Sequence, residues 1–94
     1  MKDSYKQKIK DIRQMAKLNI VDVQTILSVV ERDLDKIEKR IEFYDSKYDL
    51  TYLQQEKYDE LDEKRDQLEE YKESLETIVN AFDEIISATD MMDF

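Results

Sequence analysis

The sequence has neither glycine nor proline among its 94 residues. Glycine supplies the positive φ angles of tight β-hairpin turns, and proline is the residue that interrupts helices most strongly. A chain that lacks both is poorly suited to β-sandwiches and barrels, and little in it limits helix length. Because 41% of the residues are charged, most of the helix surface is expected to be solvated. We therefore expect an all-α fold built from a few long helices.

In the first half of the chain, apolar residues recur at steps of three and four, which is the spacing of a coiled-coil seam. The pattern predicts a first helix over residues of about 3–45. Its members are Tyr5, Ile9, Ile12, Ala16, Ile20, Val23, Leu27, Val30, Leu34, Ile37, Ile41, Tyr44 and Tyr48.

In the second half, the apolar pattern is a seven-residue repeat. It predicts a second helix over residues of about 51–89. Thr51 and Gln54 have the spacing of a capping box at the start of this helix, so the turn is expected at about residues 45–51. The members of the repeat are Leu61, Leu68, Leu75, Phe82 and Thr89.

Charge is unevenly distributed between the two ends of the chain. Residues 1–17 contain six Lys or Arg and two Asp, for a net charge of +4, whereas residues 51–94 contain 14 acidic and four basic residues, for −10. An antiparallel pairing places these segments side by side, so their opposite charges favour it over a parallel one. We therefore predict that residues 1–94 form a single helical domain, a long antiparallel helical hairpin that resembles a coiled coil.

Two other helical arrangements stay open. A double step of four at Ile12, Ala16 and Ile20 interrupts the seam, and Asn19 and Asp22 beside it are residue types that cap helices. A kink or break near residues 18–22 would give a three-helix bundle. The other arrangement is one continuous helical rod, although the apolar spacing falters between residues 48 and 61.

Apolar residues between positions 15 and 30 cover more than one face of the first helix, so a single partner helix is too narrow to bury them all. A wide apolar face usually packs on further helices. We therefore predict self-association, a homodimer in which two hairpins form a four-helix bundle, or packing of this face on a dedicated protein partner. The alternative is that several of these side chains are only half-exposed flanking residues. The residues assigned to self-association are Leu18, Val21, Ile26 and Val29.

Aromatic residues gather around the predicted turn. Tyrosine is common at recognition surfaces because it buries a large area at a small entropic cost and keeps a polar hydroxyl. We predict that this tip binds a protein partner; the alternative is that the rings close the end of the seam, as leucine does elsewhere. The residues are Phe43, Tyr44, Tyr48, Tyr52 and Tyr58.

The composition excludes most catalytic chemistry. With no His and no Cys, nucleophilic triads and ordinary zinc sites are ruled out, and the lack of glycine removes phosphate-binding loops. Glu60 and Glu63 have a spacing that can hold a divalent cation, but in a chain with 24 acidic residues such pairs arise by chance. We expect no enzymatic activity, no cofactor and no metal.

The functional prediction is a non-enzymatic protein–protein interaction module, an adaptor or assembly factor, which acts through an apolar helical face and a tyrosine-rich tip. The alternative is a small acidic inhibitor of phage or mobile-element type, in which the carboxylates of residues 56–76 mimic nucleic acid. A net charge of −9 opposes direct binding to nucleic acid. No apolar run approaches the roughly 20 residues that span a bilayer, so we expect no membrane association and a cytoplasmic location.

Overall fold

Two antiparallel helices make up the fold. The computed structural model describes residues 3–47 and 49–92; α1 spans Asp3–Asp45 and α2 spans Tyr52–Asp90. The molecule measures 70 × 16 × 14 Å. A helix of 43 residues is about 65 Å long, so the two helices lie side by side along their whole length. The prediction of an all-α helical hairpin is confirmed, and the continuous rod is wrong.

The alternative with a break near residues 18–22 is also wrong, because α1 is an unbroken helix through this segment. Ala16 and Ile20 are both buried on the side that packs against α2, so the double step of four shifts the seam slightly without ending the helix. Asn19 and Asp22 are exposed, which leaves their side chains solvated within the helix. With no glycine or proline nearby, nothing favours a turn there.

The chain reverses at a capped turn. Thr51 has an extended backbone (φ −65°, ψ 165°), and its hydroxyl oxygen accepts a hydrogen bond from the Gln54 backbone N–H at 3.2 Å. In return, the Gln54 side-chain oxygen accepts one from the Thr51 N–H at 3.1 Å. This is the predicted capping box, which satisfies two N–H groups at the start of α2. No described residue has a positive φ, so the reversal needs no glycine.

The core is thin. Ile37 and Ile41 of α1 pack with Leu61 of α2, and the half-buried Tyr44, Tyr58 and Leu68 pack against this cluster. Among the described residues, no side chain is less than 2% exposed. Two packed helices cannot enclose a side chain on all sides, so the interior is a single seam.

Among the residues that the structure describes, the seam contains one buried polar side chain. Thr89 is 6% exposed, and its hydroxyl donates to the Ile85 and Ile86 carbonyl oxygens, both at 2.9 Å. The hydroxyl therefore finds acceptors within its own helix, which removes the cost of burying it in the position that leucine takes elsewhere in the repeat.

The register is the same at both ends of the hairpin. Arg13 pairs with Asp90 at the far end, and Asp45 faces the Tyr58 hydroxyl next to the turn. From Asp45 back to Arg13 is 32 residues along α1, and from Tyr58 forward to Asp90 is 32 residues along α2. The two helices therefore advance in step between these pairs.

Candidate interaction surface

Several of the large exposed apolar side chains share one face of the hairpin, in the half far from the turn. On α2 they recur every seven residues, just beside the buried seam, and the matching flank of α1 carries two more. Ile26 and Tyr71 line the same shallow cavity of about 240 Å³ over the seam, which places the two flanks on one face. We call this set the apolar strip; its members, each 36–53% exposed, are Ile12, Ile26, Tyr71, Ile78 and Ile85.

Toward the turn, the same face of the hairpin changes from mainly apolar to mainly basic. One seven-residue step beyond Tyr71 the flank of α2 carries Lys64. On α1 the residue one step beyond Ile26 is Asp33, and the residue two steps beyond is Arg40. Two adjoining cavities, of about 320 and 260 Å³, lie over the seam here. We call this stretch the cationic groove; its basic residues are Lys36, Lys39, Arg40, Lys57 and Lys64.

The opposite face of the turn half is acidic. A cavity of about 300 Å³ there is lined by four carboxylates and one cation, Arg65. Burial lowers the pKa of Arg65, but the Asp62, Asp66 and Glu69 carboxylates together outweigh that effect and raise the pKa above its usual value. Arg65 therefore stays charged, paired with Asp62 and Asp66. The carboxylates are those of Glu38, Glu42, Asp45 and Glu69.

The four residues assigned to self-association do not share one surface. At 100° per residue around the helix, Val29 lies about 60° from Ile26, Leu18 about 80° and Val21 about 140°. Ile26 belongs to the apolar strip, and Val29 and Leu18 adjoin its outer edge. Val21, although 58% exposed, faces away from the strip.

The aromatic residues near the turn separate into two pairs. Tyr44 and Tyr58 pack on the core cluster, so these rings close the end of the seam. Phe43 and Tyr52 are exposed; the Phe43 ring meets Tyr44 edge-on with centroids 5.5 Å apart. Tyr48, the remaining predicted tip residue, lies outside the described residues.

One tyrosine near the turn has a shifted acidity. The Asp45 carboxylate, as hydrogen-bond acceptor and as a negative charge, raises the pKa of the Tyr58 hydroxyl above its ordinary value of 10.0. The hydroxyl stays protonated and links the end of α1 to the beginning of α2. Tyr58 is therefore part of the architecture of the turn.

Two sets of surface residues escaped prediction from the sequence: Tyr71, Ile78 and Ile85 of the apolar strip, and the bases of the cationic groove. Both sets could have been recognised in the sequence from the residue types that recur every seven residues next to the seam. Along α2 this column changes from Lys57 and Lys64 to the apolar residues. The overall net charge of −9 hides the basic half of that column.

The outer face of α2 carries an acidic stripe with basic residues along its edges. Lys57 and Lys64 point toward the cationic groove, and Arg65 is on the opposite flank. Lys64 also lines a cavity with four of the outward carboxylates, and Lys57 and Arg65 contact Glu60 and Asp66 at 3.9 and 3.6 Å. The stripe consists of Glu56, Asp59, Glu60, Glu63, Asp66 and Glu70.

The described part of the chain contains no group of three or more carboxylates arranged to hold a metal ion. Neither of its helices has a stretch sufficiently long and apolar to cross a membrane. Comparisons of the chain with protein-family models, with curated protein sequences and with solved structures gave no match.

Proposed function

We propose that this protein is a non-enzymatic helical interaction module, an adaptor or assembly factor, which pairs with a second copy through the apolar strip. The observation that carries the proposal is the row of half-exposed Ile and Tyr side chains that shares one face of the hairpin. An isologous dimer uses the same patch on both subunits, and two hairpins packed face to face produce a four-helix bundle. The ends of such a bundle are free to bind a protein partner.

The exposed area of the single hairpin supports this pairing. The chain exposes 7319 Å², whereas a compact monomer of 11.4 kDa exposes about 5,800 Å². The excess exceeds the roughly 800 Å² that each partner buries in a standard interface. Covering half of an Ile or Tyr side chain contributes about 1 kcal/mol, so five such residues from each copy supply a substantial driving force.

The charges of the face select one relative orientation for the two copies. If both turns lay at the same end, the two cationic grooves would stack on each other and repel. If the hairpins were antiparallel and fully overlapped, each groove would cover the apolar strip of the other copy. We therefore favour an antiparallel, offset dimer, in which only the strips overlap and a groove projects at each end.

The test is a comparison of two equal substitutions on opposite sides of the molecule. Ile78→Glu places a charge in the apolar strip and should weaken dimerisation at least tenfold. Val21→Glu adds the same charge to a more exposed residue outside the strip and should leave it within about twofold of wild type. Light scattering after gel filtration, over a wide concentration range, measures both. A wild-type protein that stays monomeric at high micromolar concentration would rule out the pairing.

The acidic stripe on α2 favours a second candidate, an inhibitor that mimics nucleic acid. Its carboxylates extend over about 20 Å of α2 and outnumber the basic residues at their edges, Lys57, Lys64 and Arg65. A panel of DNA-binding proteins preloaded with labelled duplex tests it: wild-type protein should displace the duplex at low salt and lose this ability as salt rises. Glu63→Lys should abolish displacement, and Glu42→Lys, on the other helix, should not. Failure across the panel would remove this candidate.

A further inference from the structure

We propose that the cationic groove binds an acidic segment of a protein partner, one in which carboxylates flank a few apolar side chains. The inference rests on the proposed function, because it names the class of partner that the turn half of the module takes. The groove itself is built within a single hairpin, so it exists whether or not the apolar strips pair.

Five cations and one carboxylate, that of Asp33, line the groove, so its net charge is positive. Lys39 is paired with Asp35 at 3.0 Å. Lys36, Arg40 and Lys64 have no ion-pair partner among residues 3–47 and 49–92. Lys57 has only a long contact, 3.9 Å, to Glu60 of its own helix. Like charges gathered on one surface raise the energy of the free protein, and a bound anion relieves that repulsion. The observation stands out because the chain as a whole is strongly acidic.

The floor of the groove is apolar, which distinguishes an acidic peptide from other anions. Ile37 and Leu61 are buried beneath the two cavities, and the apolar surface left along the groove comes from the half-buried Tyr44 and Leu68 and the exposed Phe43. Phosphate chains offer negative charge but nothing to cover these side chains. A peptide with Glu or Asp beside Leu or Phe satisfies both parts of the surface.

The size of the groove limits the segment. Lys57 and Lys64 are seven residues apart on α2, about 10 Å, and Arg40 and Lys36 extend the basic rim along α1. A helical segment of about ten residues is 15 Å long and matches this stretch. The partner element is therefore a short acidic amphipathic helix lying along the seam.

The experiment uses a labelled 14-residue helical peptide with Leu on one face and Glu on both flanks, followed by fluorescence anisotropy at 50 mM salt. Wild-type protein should bind it, and a peptide with every Glu replaced by Gln should bind at least tenfold more weakly. Arg40→Glu should weaken binding of the acidic peptide at least tenfold. Arg32→Glu, the same change on the outer side of α1, should alter it less than threefold.

Three results would overturn the inference. The first is that wild-type protein does not bind the acidic peptide, and the second is that the Arg40→Glu and wild-type proteins bind it equally well. The third is that wild-type protein binds a labelled oligothymidylate as tightly as the acidic peptide, which would indicate general anion binding. Repeating the titration with Ile78→Glu separates the two proposals. A variant that no longer dimerises but still binds the peptide supports the groove independently of self-association.

Discussion

Arg13, near the start of α1, donates a hydrogen bond to the Asp90 carboxylate at the end of α2, with 3.1 Å between nitrogen and oxygen across 77 residues of sequence. It is the one ion pair between the helices in the part of the chain that the structure describes. Arg13 is only 26% exposed and Asp90 53%, so the pair is partly shielded from solvent. It joins the basic and acidic segments at the open end of the hairpin.

A double-mutant cycle on this pair should give a favourable coupling of about 0.5–1 kcal/mol, the upper range for partly exposed ion pairs. Arg13→Gln, Asp90→Asn and the double variant are compared by urea denaturation. Because the protein is strongly acidic, removing any carboxylate also relieves general repulsion. Asp83→Asn, one heptad earlier on the same flank, measures that background, and a coupling of zero would show that the pair does not set the register.

Substitution in the core cluster should have a much larger effect. Leu61 is 7% exposed and packs on Ile37 and Ile41, so Leu61→Ala should lower the free energy of unfolding by about 2–4 kcal/mol. Leu53→Ala makes the same change on the same helix at a side chain that is 73% exposed, and should cost less than about 0.5 kcal/mol. Circular dichroism during urea unfolding measures both; similar losses would contradict the described seam.

Removal of the capping box should destabilise the start of α2. Thr51→Ala deletes the acceptor for the Gln54 N–H and should cost about 1 kcal/mol. The control is Thr77→Ala, because the Thr77 hydroxyl only donates to the Glu73 carbonyl within the helix at 3.0 Å. That change should be neutral or stabilising, since alanine is the better helix former. If both variants lost equal stability, the cap would have no special role.

The Tyr58 hydroxyl predicts a pH dependence with a defined sign. Its pKa is raised in the folded protein, so its contribution to stability is fully present below the unfolded value of about 10 and is lost as pH rises through the folded value. Wild-type protein should therefore lose more stability between pH 9 and pH 11 than Tyr58→Phe does.

Urea denaturation at a series of pH values measures this loss, and absorbance of tyrosinate at 295 nm follows the titration directly. Tyr52→Phe is the matched control, because Tyr52 is 83% exposed. Its stability should fall with pH as steeply as that of wild type. Equal slopes for the Tyr58→Phe and wild-type proteins would contradict the contact with Asp45.

The hairpin is predictable from the sequence because three signals agree. The seam spacing defines both helices, Thr51 and Gln54 mark the start of the second, and the opposite charges of the two ends favour antiparallel pairing. The alternative with a break near residues 18–22 is wrong. Asn and Asp can cap the start of a new helix only where the chain has already left the previous helix, and nothing ends α1 at this point. Asn19 and Asp22 are both exposed, and α1 continues through them.

The surfaces are harder to predict, because exposure depends on which flank of each helix meets the same face. Leu18 and Val21 are as exposed as Ile26, and only the register shows that Ile26 shares a face with Tyr71. The aromatic tip was similarly ambiguous: Tyr44 and Tyr58 have one side to pack on and are half buried, whereas Tyr52 begins α2 and has none. Residues of similar type in the same part of the chain thus take different roles.

The single capped reversal determines the order in which the molecule can assemble. Thr51 and Gln54 fix the start of α2 by local bonds, and Tyr44 and Tyr58 lie nearest the turn on the core cluster. Every contact farther out closes a longer loop, at a greater entropic cost. We expect the folding transition state to contain the turn-proximal cluster, so that changes at Arg13 or Asp90 accelerate unfolding and leave the folding rate nearly constant.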